Sequence, residues 1–278
     1  MKKLAFAAAF LTLWAPPGSA SEIQAEMLPV MVQTFQPDIA VLGEVHDNPA
    51  HHLNQAAAVA ALKPRAMVFE MLTPDQAARI TPALRADPEA LAREIGWEEA
   101  GWPDFAIYAP IFEAAPDALI MGAALPREEL FKVMEEGAER YFGVDAEAFG
   151  IDQPYPPELQ AELEAEAQAN HCNALPETAL PGIVEAQRLR DAAFARSLMR
   201  ARKTTGGPIV LITGSGHART DLGVPAMLRK AAPGIKLLSI GQLEKIDGVP
   251  PEGAQPFDFW IVTEAAPRED PCAAFTKP

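Results

Sequence analysis

The stretch Ile39 to Gln55, IAVLGEVHDNPAHHLNQ, limits the possible folds more than any other part of this chain. An apolar run, Ile39 to Leu42, stops at Gly43. Glu44 and three of the chain's five histidines, His46, His51 and His52, follow almost at once. Asn48 before Pro49 supplies a helix N-cap and a first-turn proline, so Gly43 to Asn48 reads as a tight turn from a buried strand into a helix. Polar groups crowded at the carboxyl end of an apolar strand are where open α/β sheets place their sites.

The chain around that stretch alternates strand and helix. Ser21 to Pro37 and Pro49 to Leu62 read as helices, and Arg65 to Phe69 as a strand that again ends in a carboxylate, Glu70. Strand, helix, strand in that order implies a parallel pair with a right-handed crossover, which puts Gly43 to His46 and Glu70 on one edge. Leu119 to Ala123, Ile209 to Ile212, Ile235 to Ile240 and Phe257 to Val262 supply further strands, and Glu185 to Lys203 a long arginine-bearing helix. The expectation is an α/β fold: a mostly parallel sheet flanked by helices, with a smaller helical insertion. Its boundaries are a signal peptide at 1–20, α/β segments at 21–72, 114–127 and 185–278, and the insertion in two parts, 73–113 and 128–184.

The leader MKKLAFAAAFLTLWAPPGSA has two lysines, an apolar core too short to span a bilayer, and a small-residue end at Gly18, Ser19 and Ala20. It reads as a cleaved secretory signal without a cleavage-site cysteine for a lipid anchor. Export makes the two cysteines, Cys172 and Cys272, a disulfide pair tying mid-chain to tail. The rival reading, thiolate metal ligands, is weakened because neither has a second cysteine nearby. With 23 Lys+Arg against 38 Asp+Glu, a net charge of -15, the chain lacks the basic footprint nucleic acid requires.

Two segments share one form. Gly43-Glu44-Val45-His46 and Gly214-Ser215-Gly216-His217 each place a histidine three residues after a glycine at a strand end. The glycines are expected to permit a left-handed or tightly turned backbone that aims the next side chains into the crevice. With Glu44 and Glu70 these histidines form a two-His, two-carboxylate set suited to a divalent metal holding a water, and so to hydrolysis. The plain alternative is that His46 and His217 cap helices or satisfy buried backbone, and that Glu70 pairs with Arg127 or Arg219. His51 and His52 read as exposed and half-buried helix positions, and His171 as local support for Cys172.

Haem is the other cofactor considered. No C-x-x-C-H is present, so covalent attachment is excluded. A phenolate from Tyr108, Tyr141 or Tyr155, the only tyrosines, suits ferric haem, but composition does not choose haem, and each tyrosine taken singly is more often a core or interface aromatic. Gly214-Ser215-Gly216 completes neither a nucleophile elbow nor a phosphate loop.

Read together, GEVHDNPAHHLNQ (43–55), VFEML (68–72), WPDFAIYAP (102–110), GAALPRE (122–128), His171-Cys172, EAQRLRDAAFA (185–195) and LITGSGHARTDLGVP (211–225) resemble the ChaN-type haem-binding, iron-uptake-associated proteins, over nearly the whole mature chain. The resemblance implies a parallel α/β domain, a smaller helical domain, and haem held by a tyrosine at a pocket associated with a homodimer interface. Tyr108 is the first choice, then Tyr155 and Tyr141. The chain departs from the family's lipoprotein members in lacking a cleavage-site cysteine, which favours a free periplasmic protein, and an outer-membrane haem receptor is an expected partner. The paired G-x-x-H with Glu is similar to TIKI/TraB and erythromycin-esterase-type sites. Carried onto this chain, that likeness makes His46, His217 and Glu70 metal ligands and Glu44 a ligand or general base.

Overall fold

The computed structural model describes residues 20–274, and the expected signal peptide lies outside them but for its last residue. Among the described residues seven strands form one sheet: β1 (Ser21–Glu22), β2 (Ile39–Glu44), β3 (Ala66–Phe69), β4 (Leu119–Gly122), β5 (Ile209–Gly214), β6 (Leu237–Glu244) and β7 (Phe259–Thr263). Their order is β1-β7-β6-β2-β5-β3-β4, and every neighbouring pair is parallel. β2, β3 and β5 are buried along their whole length, which is why they read as unbroken apolar runs rather than alternating ones.

Alternation along the strands divides the core into two layers. Ala40, Leu42, Met67, Phe69, Val210 and Ile212 face the helices Leu28–Phe35 and Pro49–Leu62 and the helical stretch between β3 and β4. Ile39, Val41, Ala66, Val68, Ile209 and Leu211 face the helices that join β4 to β5, and Val224–Ala231. The stretches 73–113 and 128–184, read together from the sequence as one insertion, therefore sit mainly in different layers, on opposite faces of the sheet.

Local chemistry sets the helix ends. The Asn48 side chain accepts from the Ala50 amide, with Pro49 in the first turn, and the helix closes at Lys63, in left-handed backbone, just before Pro64. Thr73 and Gln76 form a reciprocal capping box. β1 falls within the segment expected to be helical; that helix starts only at Leu28, because Ser21 and Glu22 are taken up by pairing with Phe259 and Trp260 on β7.

β2 and β5 are neighbours whose outgoing helices pack on opposite faces, Pro49–Leu62 on one and Val224–Ala231 on the other. A crevice opens between carboxyl ends that diverge in this way. The Cys172–Cys272 disulfide is formed, with the Cα atoms 5.5 Å apart. Among the described residues no helix is long and apolar enough to cross a membrane.

Candidate functional site

Glu44 is the last residue of β2 and is buried, and its carboxylate organises the near side of the crevice. His46 donates to Glu44 Oε1 through Nδ1 at 2.8 Å, and the Tyr108 hydroxyl donates to the same oxygen at 2.6 Å. Glu44 Oε2 lies 3.3 Å from His52 Nδ1. Burial alone would raise the Glu44 pKa, but His46 and His52 reverse this and hold it below the usual carboxylate range. Burial likewise works against a charged His46, and the hydrogen bond to Glu44 and the charge of Glu70 outweigh it, so its pKa is raised. The His46 side chain is 32% exposed, its ring beside Trp102 with centroids 5.0 Å apart.

Glu70 follows β3 and accepts at Oε2 from the Thr213 hydroxyl, 2.7 Å, and the Gly214 amide, 2.8 Å. His46 Nε2 lies 4.0 Å from that oxygen and His217 Nε2 lies 3.4 Å from Oε1. Behind His217, Nδ1 contacts Asp191 Oδ1 at 2.6 Å, and the Gln187 amide lies against the ring. Burial disfavours the imidazolium, yet Glu70 and Asp191 raise the His217 pKa to about 10. Burial also raises the Asp191 pKa, against the opposing pull of His217. Glu70 is held far below its ordinary value, its burial overcome by the charge of His217.

The four expected residues are thus together, but in a different order of contact. Glu44 stands behind His46, not beside it as a second ligand or a base facing the opening. Asp191, which the sequence reading missed, plays the matching part behind His217. Each imidazole is oriented through Nδ1 by a carboxylate and turns Nε2 toward Glu70. Among the described residues no three or more His, Cys, Asp or Glu side chains are grouped to hold a metal. Neither Arg127 nor Arg219 pairs with Glu70.

His51 and His52 are fully buried rather than exposed and half-buried. The Val45 amide donates to His51 Nδ1 at 2.8 Å, and His51 Nε2 donates to Thr263 Oγ1 at 2.8 Å. His52 Nε2 donates to the His46 carbonyl at 2.9 Å. Both histidines therefore hold the turn that presents His46. Gly43 and Gly214 do not have positive φ, so turn freedom is not their role. A Cβ on Gly214 would sit 3.1 Å from His46 Nε2, and one on Gly43 would meet Ser215 Oγ at 2.7 Å. What the site requires of them is the absence of a side chain.

The three tyrosines lie in three settings. Tyr108 is 0% exposed, and burial, then the Glu44 carboxylate, raises its pKa strongly, so the phenolate form is disfavoured. Tyr141 is half-buried and its hydroxyl donates to Glu129. Tyr155 is half-buried and lines a cleft of about 210 Å³. The Arg188 guanidinium carbon lies 4.3 Å from the Tyr155 ring centroid, and Arg188 is anchored on the Gly150 and Gln153 carbonyls. Burial raises the Tyr155 pKa, and the Arg188 charge offsets only part of that rise. Leu163, Ile183, Val184 and Leu222 supply apolar wall, and Asp191 and Gln187 connect the cleft to the His217 side of the crevice.

A family profile described as haem-binding uptake, Tiki superfamily, ChaN matches residues 30–228. Among solved structures, ChaN of Campylobacter jejuni, described with cofacial heme binding, aligns at 18% identity with a TM-score of 0.60, covering 77% of this chain and 84% of its own. The type III effector HopBA1 aligns at 14% identity with a TM-score of 0.49, over 90% of this chain and 96% of its own. At such identities the likeness concerns the fold. No curated protein matches.

Proposed function

This chain belongs to the ChaN haem-binding uptake family of the Tiki superfamily, and on that premise we propose that it binds haem non-covalently as an exported, periplasmic protein serving haem or iron uptake. The observation that carries the placement is the cleft at Tyr155. It combines a half-buried phenol, a guanidinium over its ring, apolar walls, and a second cation, Arg219, at its margin. That donor set fits a flat apolar ring system with carboxylate arms and a ferric centre that takes phenolate. Bound haem would supply the iron, and the chain supplies the rest. Tyr155 would be the ligand, Arg188 would offset part of the burial that disfavours its deprotonated form, and Leu163, Ile183 and Val184 would exclude water. Tyr108 holds Glu44 instead, and Tyr141 holds Glu129. A homodimer and an outer-membrane receptor complete the proposal as partners.

Haemin titration of the mature protein tests it. Saturable binding with a tyrosinate-type spectrum is expected, lost in Tyr155→Phe and kept in Tyr141→Phe, with sedimentation reporting whether a dimer forms. Absence of saturable binding to the wild type would refute the reading.

One observation favours a second reading, hydrolysis. His46 is backed by Glu44 at Nδ1 and its side chain is part-exposed, the arrangement of a general base with its orienting carboxylate. The metal-dependent form gains no support from the donor grouping. Turnover of ester substrates that survives chelation and is lost in His46→Gln would favour this reading. Activity that disappears with chelation and returns with a divalent ion would favour the metal-dependent form.

A further inference from the structure

The outer wall of the Tyr155 cleft is the helix Pro157–Asn170, and none of its residues is buried. Its packing on the helix Leu180–Thr205 uses only half-buried side chains such as Leu159, Leu163 and Ala167, so it depends more than a buried helix does on whatever ties its ends. Its start is a proline-rich turn, Pro154 to Pro157. Along its length Glu166 pairs with Arg219 at 3.2 Å, an exposed ion pair of the kind that contributes little. Its end runs through His171 into Cys172 and Asn173, both in left-handed backbone at φ 59° and 55°. Neither is a glycine, so the conformation needs support, and the turn has some of its own: the Cys172 amide donates to the Ala169 carbonyl, the Asn173 amide to the Gln168 carbonyl, and Gln168 Nε2 to the Leu175 carbonyl. The tie from outside the turn is the bond from Cys172 to Cys272.

The far end of that tie is also anchored. The tail after β7 crosses the carboxyl edge of the sheet, where Arg268 makes paired contacts to Asp47, both 2.7 Å, and to Glu244, 2.6 and 2.7 Å. Asp47 adjoins His46. Asn48 in the same turn donates to Glu244, 2.6 Å, and to the Glu264 carbonyl, 3.0 Å. One segment, 264–272, therefore joins the turn that carries His46 to the end of the cleft wall, and its last link is a disulfide between two half-buried cysteines.

We propose that the Cys172–Cys272 bond is a thiol-openable clasp on the cleft: exchange with a dithiol reductant frees the helix Pro157–Asn170 and speeds release of the cleft's ligand. The step balances. A reductant thiolate displaces one cysteine as thiolate and forms a mixed disulfide. The reductant's second thiolate then displaces the other cysteine, so the reductant leaves as its own disulfide and its two protons pass to Cys172 and Cys272. Arg268 still holds the tail on Asp47 and Glu244, so opening is confined to the cleft wall. This regulation rests on the reading of the cleft as the haem site.

The test uses the full mature chain, oxidised, reduced with a small dithiol, and as the Cys172→Ser/Cys272→Ser pair. Backbone hydrogen exchange is followed in every form, and haemin transfer to excess apomyoglobin in the loaded forms. The expected result is faster exchange across 157–173 on reduction, no change in β2 and β5, and haemin loss accelerated about tenfold or more, as local opening predicts. Unchanged exchange across 157–173 would overturn the clasp, as would faster exchange spread over the sheet, which would make the bond a general cross-link. Equal haemin release from all forms would also overturn it. If no form binds haemin saturably, the haem reading fails alone, and the exchange measurement still decides whether the wall opens.

Discussion

His51 should make this protein acid-labile by an amount that can be calculated. It is fully buried, accepts from the Val45 amide at Nδ1, and so folds as the neutral imidazole. Burial holds its pKa down to about 4, against 6.5 for an ordinary histidine. A histidine depressed on folding contributes its full stability above the unfolded value and loses it as pH falls toward the folded one. The unfolded chain binds the proton first, between pH 6.5 and 4. A shift of this size corresponds to about 3 kcal/mol in all, and about 2 kcal/mol of it is lost by pH 5. The assay is urea unfolding of wild type and His51→Asn from pH 7.5 to 5. The variant keeps an oxygen able to accept from Val45 and loses the bond to Thr263, so it starts less stable but has no proton to gain. Carboxylates that titrate in the same range are common to both proteins and cancel in the difference. The wild-type advantage should shrink by about 2 kcal/mol across the range. A difference that stays flat would refute the reasoning, as would a nitrogen chemical shift showing His51 protonated at pH 5 in the folded protein.

Further outcomes follow from the same geometry. Gly43→Ala should cost about 1–3 kcal/mol, because the new Cβ meets Ser215 Cα at 2.9 Å as well as its hydroxyl; a wild-type melting temperature would contradict it. Asp191→Asn should bring the His217 pKa down from about 10 by removing one of the two carboxylates that raise it, read by titrating the ring resonances. His217 stabilises the fold fully below pH 6.5 and loses that contribution as pH rises through 10, so stability of the variant should fall less between pH 7 and 10. Tyr108→Phe should leave Glu44 without its 2.6 Å donor and cost about 1–3 kcal/mol, measured by thermal unfolding.

The parts of this molecule that were legible in the sequence are those specified locally. Strand β2 and the Asn48-Pro49 helix start each carry their determinants within a few residues. The two G-x-x-H segments could be matched because the period of strand and turn fixes where their histidines emerge. Asp191 could not be found that way. It lies in a helix noticed for its arginines, and nothing within that helix says which turn meets His217, 26 residues later. The burial of His51 was missed for the same reason, since its cover includes Thr263, 212 residues away. The two glycines were found for a wrong reason: sequence suggests backbone freedom, whereas the structure needs room for His46 and Ser215. The tyrosines shared one signature and needed the packed structure to tell an interior donor from a cleft-lining phenol.

The strand order has a consequence for a chain that is delivered N-terminus first. β2, at the centre of the sheet, takes both its neighbours, β5 and β6, from residues 209 to 244. β1 waits for β7 still longer, and Cys172 for Cys272. Until residue 214 is out, the turn with Glu44 and His46 has no partner strand, and the emerging polypeptide has little parallel sheet to close upon. Such a chain holds most of its long-range pairings back to its last quarter, from residue 209 onward, where they become available together.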